Sequence, residues 1–128
     1  MKRVLFVCVE NSNRSQMAEA FARHRGGAAL RADSAGSAPS GQVNPKAIAH
    51  MAELGIDLAG QRSKSLEEFR DVDFDAVVTM GCGDRCPWIP ARIREDWALP
   101  DPRDLGEDGY RLVRDEIGRR VDDLLRRL

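Results

Sequence analysis

A small doubly wound α/β domain, a parallel sheet with helices against it, is the fold this sequence predicts, and three observations carry it. Lys2 to Cys8 is a near-continuous apolar run, the pattern of a strand covered on both faces. Strand-like and helix-like stretches then alternate along the chain, which calls for crossovers between parallel strands, and these are right-handed. The 128 residues suffice for one core and leave little room for another, so a single domain over residues 1–128 is expected.

The elements follow in order. The first strand ends at Cys8 and a polar turn begins at once. From Arg14 to Arg23 the chain is rich in helix formers; Asn13 can cap this helix, with Gln16 three residues on, and Gly26-Gly27 can close it. Ala28 to Ser34 supplies a second strand ending at Ala35-Gly36, and the segment from Ser37 to Gly41 carries the residues of an exposed loop. Asn44-Pro45 opens a second helix, because proline's fixed φ and missing N–H suit the first helical position, and Ile48, Met51, Ala52 and Leu54 give it an apolar face before Gly55. Ser65 to Phe69 reads as a short helix, and Asp75 to Met80 as the strand after it, bounded by Gly81. A weaker strand lies within Ile93 to Leu99. In the last stretch, Arg111 to Leu128, the residues Ile117, Val121, Leu124 and Leu128 fall on one stripe, which predicts an amphipathic helix.

Charge and cysteine content narrow the function. Twenty basic against twenty-one acidic side chains give a net charge of −1, so an electrostatic grip on nucleic acid or on an anionic membrane has no global support. The N-terminal apolar run is too short for a secretion signal, and no stretch approaches the roughly 20 apolar residues of a spanning helix. A cytoplasmic protein is expected. Three cysteines, an odd number, argue against a disulfide framework and for thiol chemistry. His24 and His50 have no partner pattern, and the mixed charges of the last helix are those of a solvated face.

Cys8-Val9-Glu10-Asn11-Ser12-Asn13-Arg14-Ser15 places a thiol at the carboxyl end of a strand and an arginine at the start of a helix. Successive backbone N–H groups in such a turn converge on a tetrahedral anion, and the positive end of the helix dipole assists them. Arg14 adds a planar fork that holds two oxygens at once, which lysine cannot do. The same positive field favours a thiolate, so Cys8 is the predicted nucleophile. Asn11 is expected to shape the turn through side-chain hydrogen bonds, and Ser15 to donate to Cys8. A second pair of thiols, Cys82 and Cys86, lies on the loop after a core strand, at the edge where open α/β sheets bind ligands. Three intervening residues are not the redox C-x-x-C spacing, and no histidine is near to complete a zinc set; inert thiols or a thiol–disulfide relay remain. Asp101, between Pro100 and Pro102, is the candidate general acid in a stiffened loop.

Taken together, Cys8 to Glu19, Ser34-Ala35-Gly36, Asn44 to Ala47, Val77 to Met80, the Cys82 and Cys86 pair, Trp97 with Asp101-Pro102, and Arg114 to Ile117 resemble the low-molecular-weight protein tyrosine phosphatase fold and, within it, the thioredoxin-coupled arsenate reductases. The resemblance implies a four-stranded parallel sheet flanked by helices, with the residues from Val9 to Ser15 as the oxyanion cradle. It implies arsenate as substrate, with phosphate or sulfate as competing oxyanions. A thiolate at Cys82 would attack the sulfur, or the arsenic held on it, at Cys8; Cys86 would then attack Cys82, and Asp101 would protonate the leaving oxygen. The implied partner is thioredoxin or another redoxin, glutaredoxin and a mycothiol-linked one included. A phosphatase needs only Cys8, Arg14 and an acid, so Cys82 and Cys86 separate the reductase from the alternative, an aryl phosphatase; a redox-sensing module without turnover is a third class. Two departures stand out. Glu10 occupies a position that is often glycine in the phosphatases, so its side chain is expected to point outward. Some relatives bind potassium through the equivalents of Asn11, Glu19 and Ser34 with a threonine and an aspartate; here Arg62 and Lys64 stand at the last two positions, and their charges are expected to support the loop without a metal. No cofactor is expected.

Overall fold

The computed structural model describes residues 1–128 apart from the side chain of Asp84. Its four strands, β1 (Lys2–Cys8), β2 (Leu30–Gly36), β3 (Phe74–Thr79) and β4 (Ala91–Asp96), form one parallel sheet in the order β2-β1-β3-β4. The helices α1 (Arg14–Gly26), α2 (Pro45–Ala52) and α3 (Gly106–Arg127) complete the doubly wound class.

The apolar run in β1 is buried on both faces, and alternation sends its side chains to opposite sides. Val4, Phe6 and Cys8 join Met17, Phe21, Met51, Ile117, Val121 and Leu124 in the main core, which the helices cover. Leu5 and Val7 join Ala35, Phe74 and Val77 in a smaller one, closed by the 3-10 turn Leu66–Phe69 and by Cys86, Ile89 and Ala91. Each fully buried Leu or Phe contributes roughly 1.5–3 kcal/mol, so the long β1 run anchors the sheet between two apolar layers. The second layer lacks a long helix.

Strand order places the site. The chain leaves β1 toward β2 and later returns on the other side of β1 as β3, so the loops after β1 and β3 diverge at a switch point and leave a crevice between them. Met80 N–H still donates to Val7 O at 2.9 Å, which holds the base of the Cys82 loop beside Cys8.

Several boundaries differ from the sequence reading. β2 begins at Leu30 because Gly27, at φ +57°, turns the chain into a 3-10 turn first. β4 stops at Asp96, whose Oδ1 accepts from Thr79 Oγ1 at 2.5 Å and Gly81 N at 2.8 Å. α3 starts five residues early, at Gly106, where Gly106 and Gly109 hide a first turn that Glu107 and Asp108 support through the helix dipole. The cap on α2 is the expected one, with Asn44 Oδ1 accepting from Lys46 N at 2.9 Å. No helix among the described residues is long and apolar enough to cross a membrane.

Glu53, just beyond α2, ties that helix to α3. It accepts from Arg111 at 2.8 Å and from the buried Arg114 at 2.6 Å, and the two guanidiniums hold its carboxyl at about 2, against an ordinary 4.5. Because the folded value lies below the unfolded one, this contribution is complete above about pH 4.5 and is lost as pH falls toward about 2. Melting temperature should therefore fall more steeply between about pH 5 and about pH 2.5 in the wild-type protein than in Glu53→Gln. Equal slopes would show that the link does not stabilise the fold.

Candidate active site

The loop from Cys8 to Ser15 wraps an anion-sized hollow because its carbonyls are drawn outward. Cys8 O and Val9 O accept from Ser37 N and Ala38 N at 3.3 and 2.9 Å, Glu10 O accepts from Ser40 N at 2.9 Å and Ser63 Oγ at 3.0 Å, and Ser12 O accepts from Asn44 N at 2.8 Å. With their carbonyls so engaged, the peptide units turn N–H groups inward, the arrangement of an anion-binding nest. Asn11 carries the positive φ, +50°, that the turn needs. Its fully buried amide compensates: Oδ1 accepts from Gln16 Nε2 at 3.0 Å and Lys64 N at 2.9 Å, while Nδ2 donates to Ser15 Oγ at 2.8 Å. Glycine at Gly36 is a steric requirement, because a Cβ there would overlap Val9 O and come within 3.1 Å of Asn11 N.

Cys8 is free and 6% exposed. Its Sγ accepts from Asn11 N at 3.1 Å and lies 2.8 Å from Ser15 Oγ. Asn11 Nδ2 fills one lone pair of that oxygen, and with the hydroxyl hydrogen turned toward sulfur two donors would meet Sγ, an arrangement that suits a thiolate. Arg14 sits at the first residue of α1, with Nη1 donating to Met80 O at 2.9 Å and also to Leu99 O. These bonds brace the guanidinium between the loops after β3 and β4 and leave its Nε–Nη2 edge for an anion. Glu10 does point outward, to the rim, where its carboxylate pairs with Arg103 at 3.2 Å. The hollow holds about 70 Å³ and is walled by Cys8, Ser12, Asn13, Arg14 and Asp101, with Arg85 and Arg103 at its mouth. Among the described residues, no aromatic side chain lines it. A broader groove of about 760 Å³ between β4 and α3 is lined by mutually paired arginines and carboxylates and lies away from Cys8.

Cys82 and Cys86 are joined in a disulfide, each half-buried, with Cα atoms 5.7 Å apart. Asp101 lines the hollow; its Oδ1 accepts from Arg103 N at 3.1 Å and Asn13 Nδ2 at 3.2 Å. One expectation fails here. Asn13 stands at the N-cap of α1 without capping it, because its amide is drawn to Asp101 and to the Tyr110 hydroxyl. Sequence reasoning also passed over Arg85 and Arg103. The second follows Asp101 by two residues, but nothing in local pattern marks either as facing an anion site.

Beneath the loop lies a buried ion cluster. Glu19 Oε1 accepts from Ser34 Oγ at 2.6 Å and pairs with Lys64 Nζ at 3.3 Å, while its Oε2 pairs with Arg23 at 3.0 Å. Of the two basic residues expected to support the loop, Lys64 enters with its ammonium. Arg62 enters only through its carbonyl, which accepts from Gln16 Nε2 and Lys64 Nζ, and its guanidinium turns to solvent to pair with Glu68.

Residues 3–128 match the family model described as low molecular weight phosphotyrosine protein phosphatase. A glutaredoxin arsenate reductase of Synechocystis sp. is 43% identical over 131 residues, covering 100% of this chain and 99% of the relative. Among solved structures, an arsenate reductase in a phosphate-binding state superposes with a TM-score of 0.91 at 43% identity, covering 99% of this chain and 98% of the other. A thioredoxin-dependent arsenate reductase from Corynebacterium glutamicum gives 0.81 at 35% identity, over 98% of this chain and 61% of its own. The family model spans residues 3–128 and these relatives also match nearly the whole chain; the protein thus belongs to the low molecular weight phosphotyrosine protein phosphatase family and, within it, to the arsenate reductases.

Proposed function

We propose that the protein reduces arsenate to arsenite with Cys8 as nucleophile and with Cys82 and Cys86 as the electron source. The observation that carries this reading is a free Cys8 in an anion loop beside a second loop whose two cysteines are already paired. The Cys8 thiolate attacks arsenic, an S–As bond forms as an As–O bond breaks, and Asp101 gives a proton to the departing oxygen. The Cys82 thiolate then attacks Cys8 Sγ. A disulfide forms while the S–As electron pair leaves with arsenic, which falls from As(V) to As(III). Cys86 attacks Cys82, frees Cys8 as thiolate and closes the Cys82–Cys86 disulfide, so two thiolates have supplied the two electrons. An external dithiol, a redoxin, returns two electrons and two protons to that disulfide. The small hollow and its lack of aromatic walls favour an inorganic oxyanion over an aryl ester, which leaves aryl phosphate hydrolysis as a weak side activity of Cys8, Arg14 and Asp101.

The test is reductant consumption with arsenate in the presence of a thioredoxin or a glutaredoxin system, with phosphate and sulfate as competitors. Turnover with either redoxin supports the reading and names the reductant; robust aryl phosphate turnover with no arsenite formed would replace it with the phosphatase. Because the Lys64 ammonium and the Arg23 guanidinium already pair with Glu19, exchanging potassium for sodium at constant ionic strength should leave the rate unchanged. A rate that rises with potassium would show that the ammonium does not fill an ion's place.

A further inference from the structure

Asp101 is not held by its own loop alone. We propose that Asn13 and Tyr110 are positioning residues for the acid, together deciding which of its two oxygens carries the proton, an inference that rests on reading Asp101 as the general acid. Asn13 is 5% exposed and Tyr110 1%. Tyr110 Oη donates to Asn13 Oδ1, and Asn13 Nδ2 donates to Asp101 Oδ1 at 3.2 Å. An ionised Asp101 sets the direction of this chain. Turning the amide over would set its carbonyl against the Asp101 carboxylate and leave Nδ2 facing the phenol, whereas a phenol that donates satisfies both ends. Burial also keeps the Tyr110 hydroxyl protonated, raising it above its ordinary range, and so available as the donor.

Asp101 Oδ1 thereby accepts two N–H bonds, from Asn13 and from Arg103 N. An oxygen so engaged has no direction left for a proton of its own. Oδ2 is the remaining oxygen; the guanidinium nearest it, Arg103 Nε at 3.4 Å, is shared with Glu10. As the Cys8 thiolate forms its bond to phosphorus or arsenic and the bond to the leaving oxygen breaks, the Oδ2 proton passes to that oxygen and Asp101 is left as carboxylate. Tyr110 is fixed from behind: His50 stacks on its ring at 4.3 Å and 13°, and is itself anchored through Nδ1–H to Lys46 O at 2.7 Å. The helix thus gives up a side-chain cap at Asn13 so that the amide can serve the acid.

Leaving-group dependence tests this, since a poor leaving group needs the proton and a good one does not. The probes are phenyl phosphate and p-nitrophenyl phosphate. Asp101→Asn should cost about 10²-fold or more in kcat on the phenyl ester and far less on the nitrophenyl ester. Tyr110→Phe, which keeps the ring and its stack on His50, should cost about tenfold on the first and under about threefold on the second. Asn13→Ala should show the same asymmetry, and Tyr110→Phe should add nothing in an Asp101→Asn background. Equal losses on both esters, or an undiminished Tyr110→Phe loss in that background, would reduce Tyr110 to a packing residue and overturn the proposal. If Asp101→Asn itself slows both esters alike, the acid assignment fails first and the inference falls with it.

Discussion

A Cys8→Ser protein is expected to form no arsenite above background and to hydrolyse no aryl phosphate, while folding normally. Among the described residues Cys8 is the only sulfur lining the hollow, and Asn11 N and Ser15 Oγ are placed to donate to a thiolate. A serine hydroxyl at that position would meet the same donors but, with its far higher pKa than a thiol, stays un-ionised, so chemistry stops although the anion still binds. Arg14→Lys separates binding from bracing. A lysine ammonium cannot span Met80 O, Leu99 O and a tetrahedral anion at once, and the loss of the fork should lower kcat about 10²-fold or more. The measurement is arsenite release under saturating arsenate with a reductant in excess. Appreciable turnover by Cys8→Ser would move the nucleophile elsewhere, and a full-rate Arg14→Lys would mean that the backbone nest alone carries the charge.

The second large effect is in the order of the thiols. Cys86→Ser, given arsenate and no reductant, should release about one arsenite per molecule and then stall with Cys8 and Cys82 joined, because the mixed disulfide has lost its resolving thiol. Cys82→Ser should release none, since nothing remains to displace sulfur from Cys8. Peptide mapping of the stalled protein identifies the bridge. Sustained turnover of Cys86→Ser with thioredoxin, or a bridge that omits Cys8, would break the proposed sequence and leave the closed Cys82–Cys86 pair as a side product of oxidation.

Much of this site could be read from the chain because its parts are local. The strand ending at Cys8, the turn and the helix opening at Arg14 lie within one stretch, and a strand–loop–helix unit of that composition has few folds open to it. Asn13 shows where such reading stops. A cap and a tertiary ligand look alike in sequence, and what decides between them are groups 88 and 97 residues away, Asp101 in the loop after β4 and Tyr110 on α3, which only the folded chain brings near. The same holds for Arg62 and Lys64, two residues apart and equal in charge. Lys64 is drawn inward to Glu19, whereas Arg62 finds Glu68 in solvent, a partner offered by the following 3-10 turn. The early start of α3 was hidden for a different reason: Gly106 and Gly109 carry no helical signal, and tertiary packing overrides their propensity.

The ion cluster under the anion loop divides the site's electrostatics into two regimes with respect to ionic strength. The Lys64 and Glu19 side chains are 6% and 1% exposed, so counterions screen that pair far less than they screen surface charges. Arg103 at the mouth is 52% exposed, and its pull on an incoming dianion fades once the Debye length shrinks to a few ångströms. Added salt is therefore expected to act mainly on encounter and KM, and far less on the shape of the cradle and on kcat.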